Sequence, residues 1–198
     1  YTTLFRSESL GYSGNKYTID LLLNYAIGQY DTYTPIQLSQ YITTIANDGE
    51  RLKPHLLKEI RDSNNGSEIG NLLKIEDKTI LNIVTVKKEY LDRVKEGLIS
   101  VMRDGLGKRV MGNSPNPAGK TGTSESFLDQ NKDGVIDTPT ISQAFVGYAP
   151  SDNPVMTITV TSPDISLVKS NSDHITYMNR LIVREISNKF FTLYPIGN

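Results

Sequence analysis

Apolar residues recur at helical spacing in three stretches of the chain and at alternate positions in a fourth, and the breaks between them carry turn chemistry. Thr34-Pro35 opens the first helical stretch: Thr34 can cap, and Pro35 suits a first turn, where its missing N–H is not needed. Ile36, Leu38, Tyr41, Ile42 and Ile45 follow, and Asn47-Asp48-Gly49 stops the helix by supplying a left-handed position. A second helix is predicted over Lys87 to Arg103, with Tyr90, Leu91, Val94, Leu98, Val101 and Met102 on one side and Asp104-Gly105-Leu106-Gly107 at its end. A third is predicted over 173–190, with Ile175, Met178, Leu181, Ile182 and Ile186 on its inner face. Between the first two, Arg51 to Ile60 reads as extended around Pro54, Ser63-Asn64-Asn65-Gly66 is a turn signal, and 67–86 favours neither period. Residues 1–16 look irregular, and no internal repeat is present.

The strand-rich part lies between the last two helices. Ala118 to Phe127 and Ile141 to Ala149 read as strands, joined by the acidic, turn-prone Asp129-Gln130-Asn131-Lys132-Asp133-Gly134. After Pro150-Ser151-Asp152-Asn153-Pro154, the residues Val155, Thr157, Thr159 and Thr161 alternate with Met156, Ile158 and Val160, the pattern of a half-buried strand. Three strands with short links predict an antiparallel meander packed with helices, an α+β fold.

Composition narrows the function classes. With 198 residues the chain is one domain or part of a larger one. A net charge of −1 argues against a nucleic-acid surface. No apolar run approaches the roughly 20 residues that span a bilayer. The absence of cysteine excludes disulfides and thiolate metal sites, and two histidines, His55 and His174, make a poor basis for a metal centre. No metal site and no cofactor are expected.

The candidate chemistry sits on the first strand, in Lys120-Thr121-Gly122-Thr123. Side chains alternate faces along a strand, so Lys120, Gly122 and Ser124 point one way and Thr121, Thr123 and Glu125 the other. A free backbone N–H near Thr123 suits an oxyanion, Gly122 removes bulk where a substrate backbone approaches, and Lys120 suits a carboxylate or a neighbouring proton transfer. A solvated edge-strand lysine is the plainer reading of the same residue. Gly119-Lys120-Thr121 also looks like the end of a phosphate loop, but that motif needs Gly where Ser114 stands, and Pro115 and Pro117 lack the N–H groups that cradle phosphate. Asp129 to Asp137 matches the first positions of a calcium loop, yet its twelfth position is Thr140 rather than Glu and no helices flank it, so a solvated hairpin turn is the default.

Taken together, these segments resemble the transpeptidase domain of class B, monofunctional penicillin-binding proteins, with the elongation-type enzymes of Gram-positive bacteria the nearest in flavour. The likeness rests on the Lys-Thr-Gly-Thr strand between helices, on Ala26-Ile27-Gly28-Gln29 running into Thr34-Pro35-Ile36-Gln37-Leu38, on Ala46-Asn47-Asp48-Gly49 with Lys53-Pro54-His55, and on Phe145-Val146-Gly147-Tyr148-Ala149-Pro150 with Asp152-Asn153-Pro154. It runs from about Ala26 to Ile186, with Tyr30 departing where Gly is common. The resemblance implies the fold shared by penicillin-binding proteins and serine β-lactamases. It implies serine acyl transfer that crosslinks peptidoglycan stem peptides ending in D-Ala-D-Ala, and acylation by β-lactam antibiotics. Lys120 and Thr123 are the catalytic candidates and Thr121, Gly122 and Thr123 the substrate-binding ones.

The family also needs a Ser-x-x-Lys nucleophile and a Ser-x-Asn motif before the Lys-Thr-Gly strand. Ser13-Gly14-Asn15-Lys16, Ser166-Leu167-Val168-Lys169, Ser63-Asn64-Asn65 and Ser151-Asp152-Asn153 fit those patterns but fail the family's order or context, and read as surface loop residues. The resemblance therefore implies that residues 1–198 are the C-terminal portion of one transpeptidase domain. The nucleophile, any pedestal domain and a membrane anchor at the extracytoplasmic face are expected upstream, and the N-terminal remainder is expected as a partner. A non-catalytic module that binds peptidoglycan peptides or senses β-lactams is the second function class.

Overall fold

A computed structural model describes residues 19–26, 28, 31–63, 69–167 and 178–196. A 3₁₀ turn (Ile19–Leu21) runs into the short helix α1 (Leu22–Ala26). Helix α2 (Pro35–Ala46) starts as its sequence predicts: the Gln37 N–H donates to Thr34 Oγ1 at 3.4 Å, and the Thr34 N–H donates to Gln37 Oε1 at 2.8 Å. This reciprocal capping box satisfies two otherwise orphaned donors. The helix ends in two left-handed residues, Asp48 at φ 55° and Gly49 at φ 95°, with the Gly49 N–H returning to Thr44 O at 2.8 Å.

The stretch from Arg51 to Ile60 is not one extended segment. It splits into β1 (Glu50–Leu52) and β2 (Glu59–Arg61), which pair antiparallel with β4 (Ile80–Ile83) and β3 (Leu72–Ile75) respectively. Within the stretch 67–86, ambiguous by period, β3 and β4 thus supply the returning half of a broken ribbon. Pro54 has no N–H for a ladder, and the gap is bracketed by Lys53 N–H to Thr79 O and Glu76 N–H to Lys58 O, each 2.9 Å. The period is unreadable because no face of the ribbon is buried: all four residues of β3 and of β4 are exposed.

Helix α3 (Lys88–Arg103) buries Met102 and packs Leu91, Leu98 and Ile99 inward, whereas Tyr90 and Val94 remain exposed. Lys95 ties it to the end of α2 through a 2.6 Å ion pair with Asp48. The meander follows as predicted: β5 (Ala118–Leu128), β6 (Thr138–Ala149) and β7 (Met156–Leu167), antiparallel in the order β5-β6-β7. Helix α4 (Met178–Leu193) closes the described chain.

Alternation along the strands builds two cores. On one face, Ala118, Tyr148 and Val146 pack against Ile42, Ile45 and Ala46 of α2 and against Leu91 and Leu98 of α3. On the other, Phe145, Met156 and Ile158 pack with Met102, Val110, Met111 and Val183 of α4, backed by Phe190 and Phe191. The inner face of α4 differs from the expectation. Met178, Leu181, Ile182 and Ile186 are exposed, and Asn179, Val183 and Ser187 face the sheet; Ile175 lies outside the described residues. Three contacts accompany this rotation: Asn179 Nδ2 donates to Val160 O at 3.2 Å, Val183 is fully buried in the core, and Asn188 Oδ1 accepts the Asn113 N–H at 2.9 Å. With that face seated, the bulkier stripe turns outward.

Candidate active site

Lys120-Thr121-Gly122-Thr123 occupies the outer strand of the meander, and its register fixes where each side chain points. Lys120 pairs with Val146, Thr121 with Phe145, Gly122 with Ala144 and Thr123 with Gln143. Val146 belongs to the α2–α3 face and Phe145 to the α4 face. Lys120 therefore projects on the first face and Thr121 and Thr123 on the second, the separation expected from strand alternation. A phosphate loop is ruled out by the same placement: Gly119-Lys120-Thr121 lies inside a strand rather than at a helix N-terminus, and Ser114 is buried with its hydroxyl on Met111 O at 2.6 Å.

The backbone between those side chains is open. The exposed Lys120 Nζ donates to Thr121 O at 2.5 Å, so that carbonyl lies on the outer edge, away from β6. In an antiparallel ladder a residue's N–H and C=O point to the same edge, and the direction alternates along the strand. Thr121 and Thr123 thus share the outward orientation, and the N–H of Thr123 points to the edge of β5 that pairs with no strand among the described residues.

Two glycines hold this strand close to its neighbour. A Cβ on Gly119 would come within 2.8 Å of Phe145 Cζ and of Val146 O, and one on Gly147 within 2.8 Å of Phe145 Cε1. The Phe145 ring fills the space that their missing side chains leave. Gly122, the glycine singled out by sequence, is different: a Cβ there would meet only Ala144 atoms at 3.8 Å, ordinary contact distance. Packing within the chain does not demand glycine at 122.

On the α4 face, Thr121, Gly122 and Thr123 border a small cavity of about 80 Å³ whose other walls include Gln143, Leu106, Asn179 and Arg180. Arg180, Asn179 and Gln143 are the site neighbours that sequence reasoning missed. Arg180 and Asn179 sit beside a helical stripe read as apolar-inside, and only the rotation of α4 brings them to the strand. A larger open hollow of about 490 Å³ along α3, bordered by Arg93, Glu96 and Arg103, contains none of the predicted site residues.

On the Lys120 face, Tyr148 is fully buried next to Ala118, and its hydroxyl has no partner among the described residues. Burial, with a smaller contribution from the Asp48 carboxylate, pushes the phenol up to about 12. The acidic loop after β5 is a hairpin connection whose carboxylates cap its own backbone: Asp129 accepts from the N–H groups of Asp133 and Gly134, and Asp133 from that of Val135. Thr140, the twelfth position of the calcium pattern, is buried in β6 and bonded to Ser126 and Asp164. Among the described residues no three His, Cys, Asp or Glu gather as a metal site.

Of the four serine decoys, Ser151 is held in the turn after β6 by Asn116, which accepts its N–H at 2.8 Å and donates to its Oγ at 2.6 Å. Ser63 follows β2, with its N–H on Asp62 Oδ1. Ser166 lies in β7. Ser13, with Lys16, lies outside the described residues, as do Ile27, Gln29, Tyr30, Asn64, Asn65, Val168 and Lys169.

Comparison with known proteins matches this geometry to a family. Residues 4–186 fit the sequence profile of the penicillin binding protein transpeptidase domain. Penicillin-binding protein 2A of Bacillus subtilis is 40% identical over 188 residues, covering 94% of this chain and 26% of the relative. Peptidoglycan D,D-transpeptidase MrdA of Haemophilus influenzae is 30% identical over 151 residues, 70% of this chain and 22% of the relative. The crystal structure of penicillin-binding protein 2B from Streptococcus pneumoniae superimposes with a TM-score of 0.75 at 28% identity, covering 98% of this chain and 30% of that one. The chain thus spans about a quarter of the length of the curated relatives it matches. With a profile match over nearly its whole length and the Lys-Thr-Gly-Thr strand at the open edge of the meander, the chain belongs to the penicillin-binding protein transpeptidase family.

Proposed function

We propose that residues 118–123 form the substrate-facing edge of a peptidoglycan D,D-transpeptidase and that a serine outside this chain supplies the nucleophile. The observation that carries the reading is the outer edge of β5, unpaired among the described residues, where Thr123 offers an N–H beside the hydroxyls of two threonines. In the reaction, the serine Oγ adds to the carbonyl of the penultimate D-alanine of a stem peptide, and its proton passes to the leaving amine. The negative charge that develops on the carbonyl oxygen is met by the Thr123 N–H, a fixed donor that needs no reorganisation. The C–N bond breaks, D-alanine departs, and the amine of a second stem displaces the serine from the ester to form the crosslink. Gly122 leaves the extended substrate room to lie along the strand, Thr121 and Thr123 hold its terminal carboxylate, and Lys120 places positive charge at the opposite side of the same edge. A β-lactam enters as a mimic of the D-Ala-D-Ala end and stops at the acyl-enzyme.

The short coverage of the relatives supports a division of labour in which the N-terminal remainder carries Ser-x-x-Lys, Ser-x-Asn and the anchor that keeps the domain at the extracytoplasmic membrane face. Among the described residues no helix is long and apolar enough to cross a membrane. Labelling with a fluorescent penicillin tests the proposal. The longest natural polypeptide that carries this chain is expected to label stoichiometrically, and residues 1–198 alone are expected not to label. A covalent adduct on residues 1–198 that maps to Ser13 would overturn the division.

A further inference from the structure

We infer that Arg180, in the first described turn of α4, is a specificity-determining residue that reads the terminal carboxylate of the acyl donor. The inference rests on the transpeptidase reading and deepens it. Strand alternation puts the Lys120 ammonium on the α2–α3 face, where it turns onto its own strand at Thr121 O. A carboxylate seated against the Thr121 and Thr123 side chains lies on the other face, and its counter-charge must come from that side. Among the described residues that line it, the charged one is Arg180. The other polar residues in its wall are Thr121, Thr123, Gln143 and Asn179, and the Nδ2 of Asn179 is committed to the sheet.

The position of Arg180 is held by its neighbour. Asn179 is 3% exposed and its Nδ2 donates to Val160 O at 3.2 Å and to Ser162 Oγ at 3.5 Å, which pins the first turn of α4 to the sheet. Asn179 is a positioning residue, and Arg180 stands one step along the same turn, in the wall of the cavity that Thr121 and Thr123 also border. An arginine suits the task because its planar fork matches a carboxylate with two parallel bonds, which a lysine cannot reproduce. The ligand class follows: acyl donors with a free carboxylate on the residue just beyond the scissile carbonyl, as in a C-terminal D-amino acid or the acid of a penicillin.

The experiment compares acylation of the longest natural polypeptide by a penicillin and by the methyl ester of the same penicillin. The rate ratio of acid to ester is taken within each preparation, so an unfolded fraction cancels. Arg180→Gln is expected to lower that ratio about tenfold, the size of a lost charge-assisted hydrogen bond, while Arg180→Lys restores part of it. An unchanged ratio in Arg180→Gln, or equal losses for acid and ester, would overturn the assignment and leave Arg180 a purely structural residue. Failure of the unsubstituted polypeptide to be acylated by either compound would instead defeat the transpeptidase reading itself.

Discussion

Gly119 and Gly122 lie three residues apart on the same strand, and the structure assigns them opposite sensitivities. A methyl group at 119 would meet Phe145 Cζ and the Val146 carbonyl at 2.8 Å and Gly147 Cα at 3.2 Å, and two of those three neighbours are backbone. The ring cannot step aside easily, because Phe145 is 1% exposed within the α4-side core. Overpacking of this kind costs about 1–3 kcal/mol, against which alanine regains roughly 0.5–1 kcal/mol of the backbone entropy that glycine loses in a strand. The net effect of Gly119→Ala is a destabilisation of about 1 kcal/mol at mid-range, with limits of roughly 0 and 2.5 kcal/mol. Gly122→Ala meets only Ala144 at 3.8 Å, so the entropy gain stands alone and stability is unchanged or rises by about 0.5 kcal/mol. Activity is expected to divide the other way: Gly122→Ala lowers penicillin acylation several-fold by crowding the substrate path while leaving the fold intact. The assay is a melting midpoint for each variant of the longest natural polypeptide, with the penicillin acylation rate measured beside it. A Gly119→Ala protein more stable than its parent, or a Gly122→Ala protein no more stable than Gly119→Ala, would refute the packing argument.

Three further outcomes are expected. Asn179→Ala removes the bond that seats α4 and should cost about 1–2 kcal/mol, read as a lower denaturant midpoint, with a fall in acylation by penicillin because Arg180 loses its anchor. Thr34→Ala should cost about 1 kcal/mol through loss of the capping box, and Thr34→Ser should recover most of it; a chemical denaturation series compares them. Tyr148, whose phenol is pushed up to about 12, should ionise above the ordinary phenol range, which Tyr148→Phe identifies as a lost step in a spectrophotometric titration. Between pH 10 and 12 the folded chain keeps that proton while the unfolded chain releases it, so stability falls as pH rises through this window. Tyr148→Phe should flatten that fall and, by removing a buried hydroxyl that has no partner among the described residues, leave stability at neutral pH unchanged or slightly higher.

Legibility followed burial. Where one side of an element is buried and the other wet, the pattern was plain: Met156 and Ile158 alternate with threonines and are buried, and the α2 start at Thr34-Pro35 carries its own hydrogen-bonding instructions. The parity of the Lys-Thr-Gly-Thr strand was readable without burial, since side chains alternate faces along any strand. The ribbon from Glu50 to Ile83 was opaque because neither face is covered and its apolar residues have no phase. Helix α4 misled for a different reason. Its largest side chains form a coherent stripe, yet the sheet takes Asn179, Val183 and Ser187, in contacts made by tertiary neighbours that no local pattern encodes. The same rotation hid Arg180. Gly119 and Gly122 look alike in sequence, and only the position of the Phe145 ring tells them apart.

The candidate site asks one strand to present a cation, two hydroxyls and a bare backbone edge at once, and strand geometry solves this by using three directions. Lys120 takes one face, Thr121 and Thr123 the other, and the N–H of Thr123 the edge between them. Such a division works only if the strand cannot twist, because a small rotation about its axis would trade one group's position against another's. Both faces are therefore clamped close to the site: Ala118 is fully buried against Tyr148 and Ile42 on one side, and Gly119 lies against the Phe145 ring on the other. The clamps precede Lys120 directly, while from Lys120 to Glu125 only Thr121 is even partly buried. The strand is thus fixed at its root and open where a substrate would lie. This also explains why the packing-critical glycine is the one outside the Lys-Thr-Gly motif: Gly119 sets the distance between strands, which leaves Gly122 free to be determined by what approaches from outside.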